Sequence, residues 1–301
     1  MRATWLSCLP KQSLVILLLG TSLVHKTKQE QTSPLQTLVQ AERDFAKDSV
    51  ARSTREAFIE AFADDGIGFQ PEPTKVKTDL QKQPAPTGPR RSVLNWSPIV
   101  AEISQAGDMG YTTGPFVVEN LQSHARLHGL YSSLWKKQPS GAWKVVLDMG
   151  VSTPNEVAML DTPISTPTEK DTERPLKYEA ALSDLKKAET GFGKLLASAK
   201  FESAYQKYSL DRTRLHRPAA MPLTNQREVL DWAKQQKHEV KLSRIKLEMA
   251  QSGDFGYSYG SYEAQSEGKS KEKGYYTHIW RWVNQKGWRL ILEVENPLPK
   301  A

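Results

Sequence analysis

The sequence predicts an α+β chain made of one domain written twice. Three observations carry this prediction. The stretch Gln105 to Phe116, QAGDMGYTTGPF, returns as Gln251 to Tyr262, QSGDFGYSYGSY, with Gly107 and Gly253 146 residues apart. Nearly the same spacing holds on both sides of it. Upstream, Ala41-Glu42 with Phe45 answers to Ala188-Glu189 with Phe192 at an offset of 147. Downstream, Gly129, Tyr131, Trp135, Trp143 and Leu147 answer to Gly274, Tyr276, Trp280, Trp288 and Leu292 at 145. In each copy, helical periodicity gives way to short β-rich runs joined by Gly and Pro turns. A period this long means a duplicated domain, since solenoid repeats recur every ~20 to 50 residues. The expected organisation is a leader over residues 1–34, a first domain over 35–153, a linker over 154–177 and a second domain over 178–299.

The chain opens with Arg2 and Lys11, then an apolar run from Ser13 to Val24, then a polar stretch. A bilayer-spanning helix needs roughly 20 apolar residues, and this run has 12. The pattern reads as a secretory signal peptide and predicts a secreted or periplasmic protein. No second apolar run of spanning length follows. The single cysteine, Cys8, lies in this leader, so the predicted domains can form neither an internal disulfide nor a thiolate metal site.

Each domain begins with an amphipathic helix, carried by Leu35, Leu38, Ala41 and Phe45 and again by Leu182, Leu185, Ala188, Phe192, Leu195 and Leu196. A second helix follows. Ser53 with Glu56 reads as a capping box, and Ala57, Phe58, Ala61 and Phe62 form an apolar stripe that Phe201, Ala204, Tyr205 and Tyr208 repeat. Asp64-Asp65-Gly66 predicts a break, and Ile67 to Gln70 a short strand. The second copy then predicts a helix from Asn225 to about Gln236. Pro84, Pro86 and Pro89 limit the first copy to one or two turns over Thr78–Gln83. The remainder reads as an antiparallel meander: Trp96–Ser104, Tyr111–Glu119, Gly129–Lys137 and Trp143–Val151, then Val240–Ala250, Gly256–Ala264, Tyr275–Val283 and Trp288–Glu295. Between the copies, Thr153 to Pro175 is rich in Thr and Pro and reads as a linker.

The net charge of +7 is uneven: the leader carries +3, residues 35–155 balance, residues 156–177 carry −2 and residues 178–301 carry +6. The excess includes Arg212, Arg214, Arg217, Lys269, Lys271 and Lys273. With no binding motif, it reads as a solvated rim and predicts no nucleic-acid partner.

This order of elements resembles the nuclear transport factor 2-like superfamily, in particular its SnoaL-like branch of mostly unknown function. The resemblance rests on Asp64-Asp65-Gly66, on GDMGYTTG from Gly107 to Gly114, and on LWKKQPSGAWKVVLD from Leu134 to Asp148. It implies two cone domains, each a curved antiparallel sheet over helices with a pocket at the wide end, packed as a pseudo-dimer through the sheets. It also implies that any chemistry needs an Asp or His and a hydrogen-bond donor inside the cone, with no cofactor. Fold alone does not assign the function.

Candidate residues follow from that frame. Asp64, or its neighbour Asp65, and Asp211 precede the first strand of each copy and are either a pocket base or turn residues. Tyr111 and Tyr257 are either phenolic donors or packing residues. Alternation puts Tyr131, Ser133 and Trp135 on one face of the third meander strand, matched by Tyr276, His278 and Trp280. That face lines either the cone or a sheet interface, and His278 is its single titratable group. His124 and His128 have metal-ligand spacing but no third ligand nearby, so no metal is predicted; no phosphate, dinucleotide or nucleophile-elbow motif occurs. Trp143 and Trp288 read as core. Three functions fit: a tandem-domain protein binding a small, mainly apolar molecule; a cofactor-free lyase or isomerase using Asp65 or Asp211 with His278 or Tyr257; or a structural or protein-binding module.

Overall fold

A computed structural model describes residues 32–159, 177–265, 268 and 270–299. The predicted signal peptide, Cys8 and most of the predicted linker lie outside the described residues. The first half opens with α1 (Pro34–Ala51), whose Ser33 and Gln36 form a full capping box. Next comes α2 (Thr54–Ala61), where Ser53 accepts from the Glu56 amide. β1 (Phe62–Phe69), β2 (Pro73–Lys75) and α3 (Val76–Lys82) lead into β3 (Ser92–Trp96), β4 (Val100–Ile103), β5 (Met109–Asn120), β6 (Arg126–Lys137) and β7 (Trp143–Ser152). The sheet order is β2-β1-β7-β6-β5-β3, with β4 also on β5.

Two expectations need correction here. Asp64-Asp65-Gly66 does not break the chain: all three lie within β1, whose register against β7 shifts between Phe62 and Ile67. The irregularity brings Gly66 so close to β7 that a Cβ would sit 2.7 Å from the Val145 carbonyl oxygen. The predicted strand Trp96–Ser104 is two strands, β3 and β4, split at Ser97-Pro98-Ile99. The Ser97 and Ile99 amides still reach β5, at the carbonyls of Pro115 (3.2 Å) and Thr113 (2.9 Å).

The second half repeats the plan with α4 (Tyr178–Leu196), α5 (Phe201–Tyr208), β8 (Arg214–His216), α6 (Gln226–Ala233), β9 (Glu239–Met249), β10 (Phe255–Gln265), β11 (Glu272–Val283) and β12 (Gly287–Pro297). Its sheet order is β8-β12-β11-β10-β9. β9 continues through the position where the first half breaks, taking up a register shift at Tyr259/Gly260 instead. Among the described residues, no helix is long and apolar enough to cross a membrane.

The described chain from Ser33 onward forms one compact unit. Each sheet turns one face to its own helices. The other faces of the two sheets meet in a shared core that includes Met109, Leu134, Leu147 and Met149 from one half and Phe255, Ile279, Leu292 and Val294 from the other. The rings of Tyr111 and Phe255 stack across it at 6.3 Å, and Phe69 meets Tyr259 edge-on at 5.9 Å.

The repeated motifs themselves close this interface reciprocally. The Gln251 amide donates to the Asp108 carboxylate at 3.0 Å, and the Gln105 amide donates to Asp254 at 3.2 Å. Such mutual pairing of one patch with its own copy is what a two-fold dimer interface requires. Asp254 is fully buried and also meets Arg281, whose guanidinium donates to the Ile103 carbonyl at 2.8 Å.

On its helix side the first half is filled with aromatic rings. Phe45 makes edge contacts with Phe58, Trp96 and Trp135, and Tyr131 lies 6.2 Å from Trp96. At their centre Glu42 is fully buried. It accepts from Trp96 Nε1 at 2.5 Å, from Trp135 Nε1 at 2.9 Å and from the Thr112 hydroxyl. Burial pushes its carboxyl up to about 7, against the pull of those three donors.

Two expected outcomes follow. In urea unfolding, Asp254→Ala costs ~3–5 kcal/mol, because Arg281 loses its partner carboxylate in the interface. Asp108→Ala, which strands no cation, costs about 1 kcal/mol. For Glu42 the native pKa of about 7 exceeds the ordinary 4.5. Its contribution to stability is therefore complete below pH ~4.5 and is lost as pH rises through ~7. Glu42→Gln should abolish that loss, so the stability difference between variant and wild type changes by ~3 kcal/mol between these limits in pH-dependent urea melts.

Candidate functional site

The polar groups of the second half gather at one end of β11 and β12. A register shift between Ile279 and Trp280 accommodates an extra residue in β12. Beyond it the strand's alternation reverses phase, so Val294 joins the core between the sheets while Glu293 and Glu295 meet residues on the helix side. Cross-strand pairing sets His278 opposite Glu293 and Tyr276 opposite Glu295. β8 pairs in parallel with β12, Leu215 opposite Glu293, which delivers Arg217 to Glu295.

The result is a connected ionic cluster. Glu293, fully buried, accepts from the Tyr205 hydroxyl at 2.7 Å and from Arg217 at 2.6 Å, and lies 3.1 Å from His278 Nε2. Arg217 reaches Glu295 at 3.5 Å, and its guanidinium stacks 4.3 Å from the Trp232 ring. Burial would raise the Glu293 carboxyl, but Arg217 and then His278 overcome it and hold that group below the ordinary carboxylate range. Burial pushes Glu295 the other way, up to about 7; Arg217 opposes the shift and the charge on Glu293 adds to it. Two carboxyls sharing one guanidinium are thereby driven apart, Glu293 below and Glu295 above the ordinary carboxylate range.

Glu295 and Arg217 line a cavity of about 530 Å³ together with Phe201, Trp232, Tyr262 and Glu272. Tyr262 donates to Glu272 at 2.8 Å. The walls carry charges of both signs, which replaces the expected mainly apolar lining: the aromatic residues meant to supply it are consumed as core.

The candidates named from the sequence are placed as follows. Asp65 and Asp211 are corrected, since neither reaches the inside of a cone. Asp65 is exposed on β1, and so is its neighbour Asp64, which pairs with Lys77 at 2.6 Å. Asp211 is exposed in the turn before β8. Tyr111 and Tyr257 are corrected too, because their strand face meets the opposite sheet; Tyr257 donates to Glu248. The open question about β6 and β11 is answered, since Tyr131 and Trp135, like Tyr276 and Trp280, face the helices. Trp280 is sealed against Phe192 (5.9 Å) and Tyr208 (6.0 Å), and Tyr131 and Trp135 belong to the ring cluster around Glu42. His278 is the candidate that joins the cluster, its ring 4.5 Å from that of Tyr276 and tilted 39° to it. Trp143 and Trp288 are buried in the cores.

Sequence reasoning missed Glu293, Glu295, Tyr205 and Trp232 as site residues, and took Arg217 for rim charge. A signal existed: Glu293-Val294-Glu295 puts two carboxylates at strand spacing within an otherwise apolar run. The β12 bulge that turns them inward leaves no trace in composition. The first half lacks most of this set, carrying Ser133 for His278, Asp148 for Glu293, Phe58 for Tyr205, Gln70 for Arg217 and Gly150 for Glu295 at the repeat offsets.

No protein-family model and no curated protein sequence matches the chain. Solved structures do match, each over about two fifths of it. A nuclear transport factor 2-like protein of unknown function from Shewanella oneidensis is 14% identical, covering 38% of this chain and 96% of its own, with a TM-score of 0.33. A ketosteroid isomerase-like protein from Erwinia carotovora is 10% identical over 40% of this chain and 97% of its own, at 0.35. A putative dehydratase of the same family from Streptomyces avermitilis is 13% identical over 41% and 100%, at 0.35. Each half repeats one α+β plan, helices packed on one face of a mainly antiparallel sheet, and the proteins it is similar to are described as nuclear transport factor 2-like or as having a cystatin-like fold.

Proposed function

We propose that the protein binds a small polar molecule in the cavity of its second half, and that the first half serves as the scaffold on which that cavity is built. The single observation that carries this reading is the placement of Glu295 at the wall of an open cavity, its carboxyl raised by burial and backed by Arg217 at 3.5 Å, which buried Glu293 holds at 2.6 Å beside His278. Buried ionic groups are costly to hold unless paired and hydrogen-bonded. A cluster of this kind beside a cavity suits a ligand that offers both donors and acceptors. The basic and then apolar start of the chain supports placing this binding outside the cytoplasm.

A second reading is favoured by the same carboxyl. With its pKa near neutrality Glu295 would act as base above pH ~7 and acid below it, the property needed to move a proton between two positions of a bound substrate without a cofactor. The carboxylate now assigned to that role is Glu295, in place of Asp65 and Asp211.

Carboxyl NMR of the full chain labelled at its glutamates should show two resonances titrating near pH 7, one removed by Glu42→Gln and the other by Glu295→Gln. Screening small polar amides, hydroxy acids and keto acids by thermal shift should yield a compound whose affinity falls about tenfold in Glu295→Gln. Unchanged titration and unchanged binding would overturn the assignment. Turnover of the bound compound, lost in Glu295→Gln, would favour the second reading over simple binding.

A further inference from the structure

The two halves also differ between the first helix and the sheet strand beside it. In the first half Trp96 fills this space, its indole donating to Glu42 and meeting Phe45 edge-on at 4.7 Å. Strand pairing identifies the counterpart. Trp96 lies opposite Phe116 and Leu242 lies opposite Tyr262, and Leu242 follows Trp96, as Tyr262 follows Phe116, by 146 residues. A leucine therefore stands where the indole was. On the helix side Ala46 is answered by Gly193, and a Cβ placed there would lie 3.6 Å from a Leu242 methyl.

These replacements coincide with a groove of about 440 Å³ between α4 and β9, within the roughly 300–1,000 Å³ usual for small-molecule sites. Its floor is apolar, formed by Gly193, Leu242 and the Tyr276 ring. Its rim carries three cations, Lys194, Lys241 and Arg244, against one carboxylate, Glu189. Arg244 serves the buried carboxylate here as the Trp96 indole does in the first half, donating to Glu189 at 2.6 Å. That pairing satisfies the carboxylate. Neither Lys194 nor Lys241 is ion-paired within the groove; Lys241 stands across the strand pair from Glu263, which Lys271 and Lys273 already hold.

We propose that this groove is a second binding site, separate from the cavity at Glu295, for a small amphiphilic monoanion. Its head group is met by Lys194 and Lys241, and its apolar body lies along Leu242 and Tyr276. Two features support a ligand over a merely solvated rim. The same locus in the same chain is closed by Trp96 in the other half. The charge left after the Glu189–Arg244 pair is of one sign and borders an apolar floor.

Calorimetric titration of the full chain with sodium octanoate at low ionic strength tests this. The expected result is saturable binding that weakens about tenfold in Lys194→Gln and in Lys241→Gln. Leu242→Trp, which restores the first half's residue, should abolish binding, while Glu295→Gln leaves it unchanged. Octan-1-ol, with the same chain and no charge, should bind at least about tenfold more weakly. The proposal is overturned if wild type shows no saturable binding, if octanol matches octanoate, or if a folded Leu242→Trp protein binds normally. Loss of binding in Glu295→Gln also overturns it, because the titrated site would then be the other cavity. Should Leu242→Trp fail to fold, the exposed lysine variants decide: unchanged affinity in both refutes the site.

Discussion

The reciprocal bonds between the two Gly-Asp turns are the constraint on which the rest of the structure depends. Each aspartate caps a backbone amide of the other copy, so the turns can be satisfied in this way only when the halves stand face to face. That alignment brings the outer surfaces of two mainly antiparallel sheets into one apolar core. Each sheet then has one face committed to its helices and the other to its twin. A sheet covered on both faces reads as nearly continuous apolar sequence instead of clean alternation, as in Leu290-Ile291-Leu292.

Within that frame the copies have answered the same electrostatic problem differently. Both place a glutamate of the first helix inside the fold, Glu42 and Glu189. The first copy surrounds it with neutral donors, two indoles and a hydroxyl, and burial then favours the protonated acid. The second copy supplies an arginine and keeps the charge paired. Around β12 the second copy goes further, building Glu293, Glu295, His278 and Arg217 into one cluster where the first carries Asp148 bonded to Ser133 at 2.7 Å. Neutral packing suits a scaffold, whereas paired charge beside a cavity leaves groups able to respond to a ligand.

Much of the fold was legible in the sequence, because a duplication tests itself: helices, turns and meander strands read in one copy had to recur in the other. Ser53, the alternating aromatics of β6 and β11, and the Gly107 and Gly253 turns each declared their place through local chemistry. The candidate site was far less legible. Its formation depends on a bulge that turns Glu293 and Glu295 inward, and on the parallel β8 pairing that carries Arg217 to them; both are tertiary events with no short-range signature. Tyr111 and Tyr257 were left between donor and packing residue for a related reason. A tyrosine in a strand buried on both faces looks the same in sequence whether it points to a cavity or to another sheet.

Carrying both partners on one polypeptide changes what mutation can do to the site. In an assembly of identical subunits every substitution appears twice, and a residue that improves one mouth must be tolerated in the other. Here Arg217 could arise opposite a copy that retains Gln70. The encounter of the copies is also intramolecular, set by tether length and independent of how many molecules are present. Such a molecule can keep its paired sheets at dilutions where a comparable assembly of separate chains would come apart.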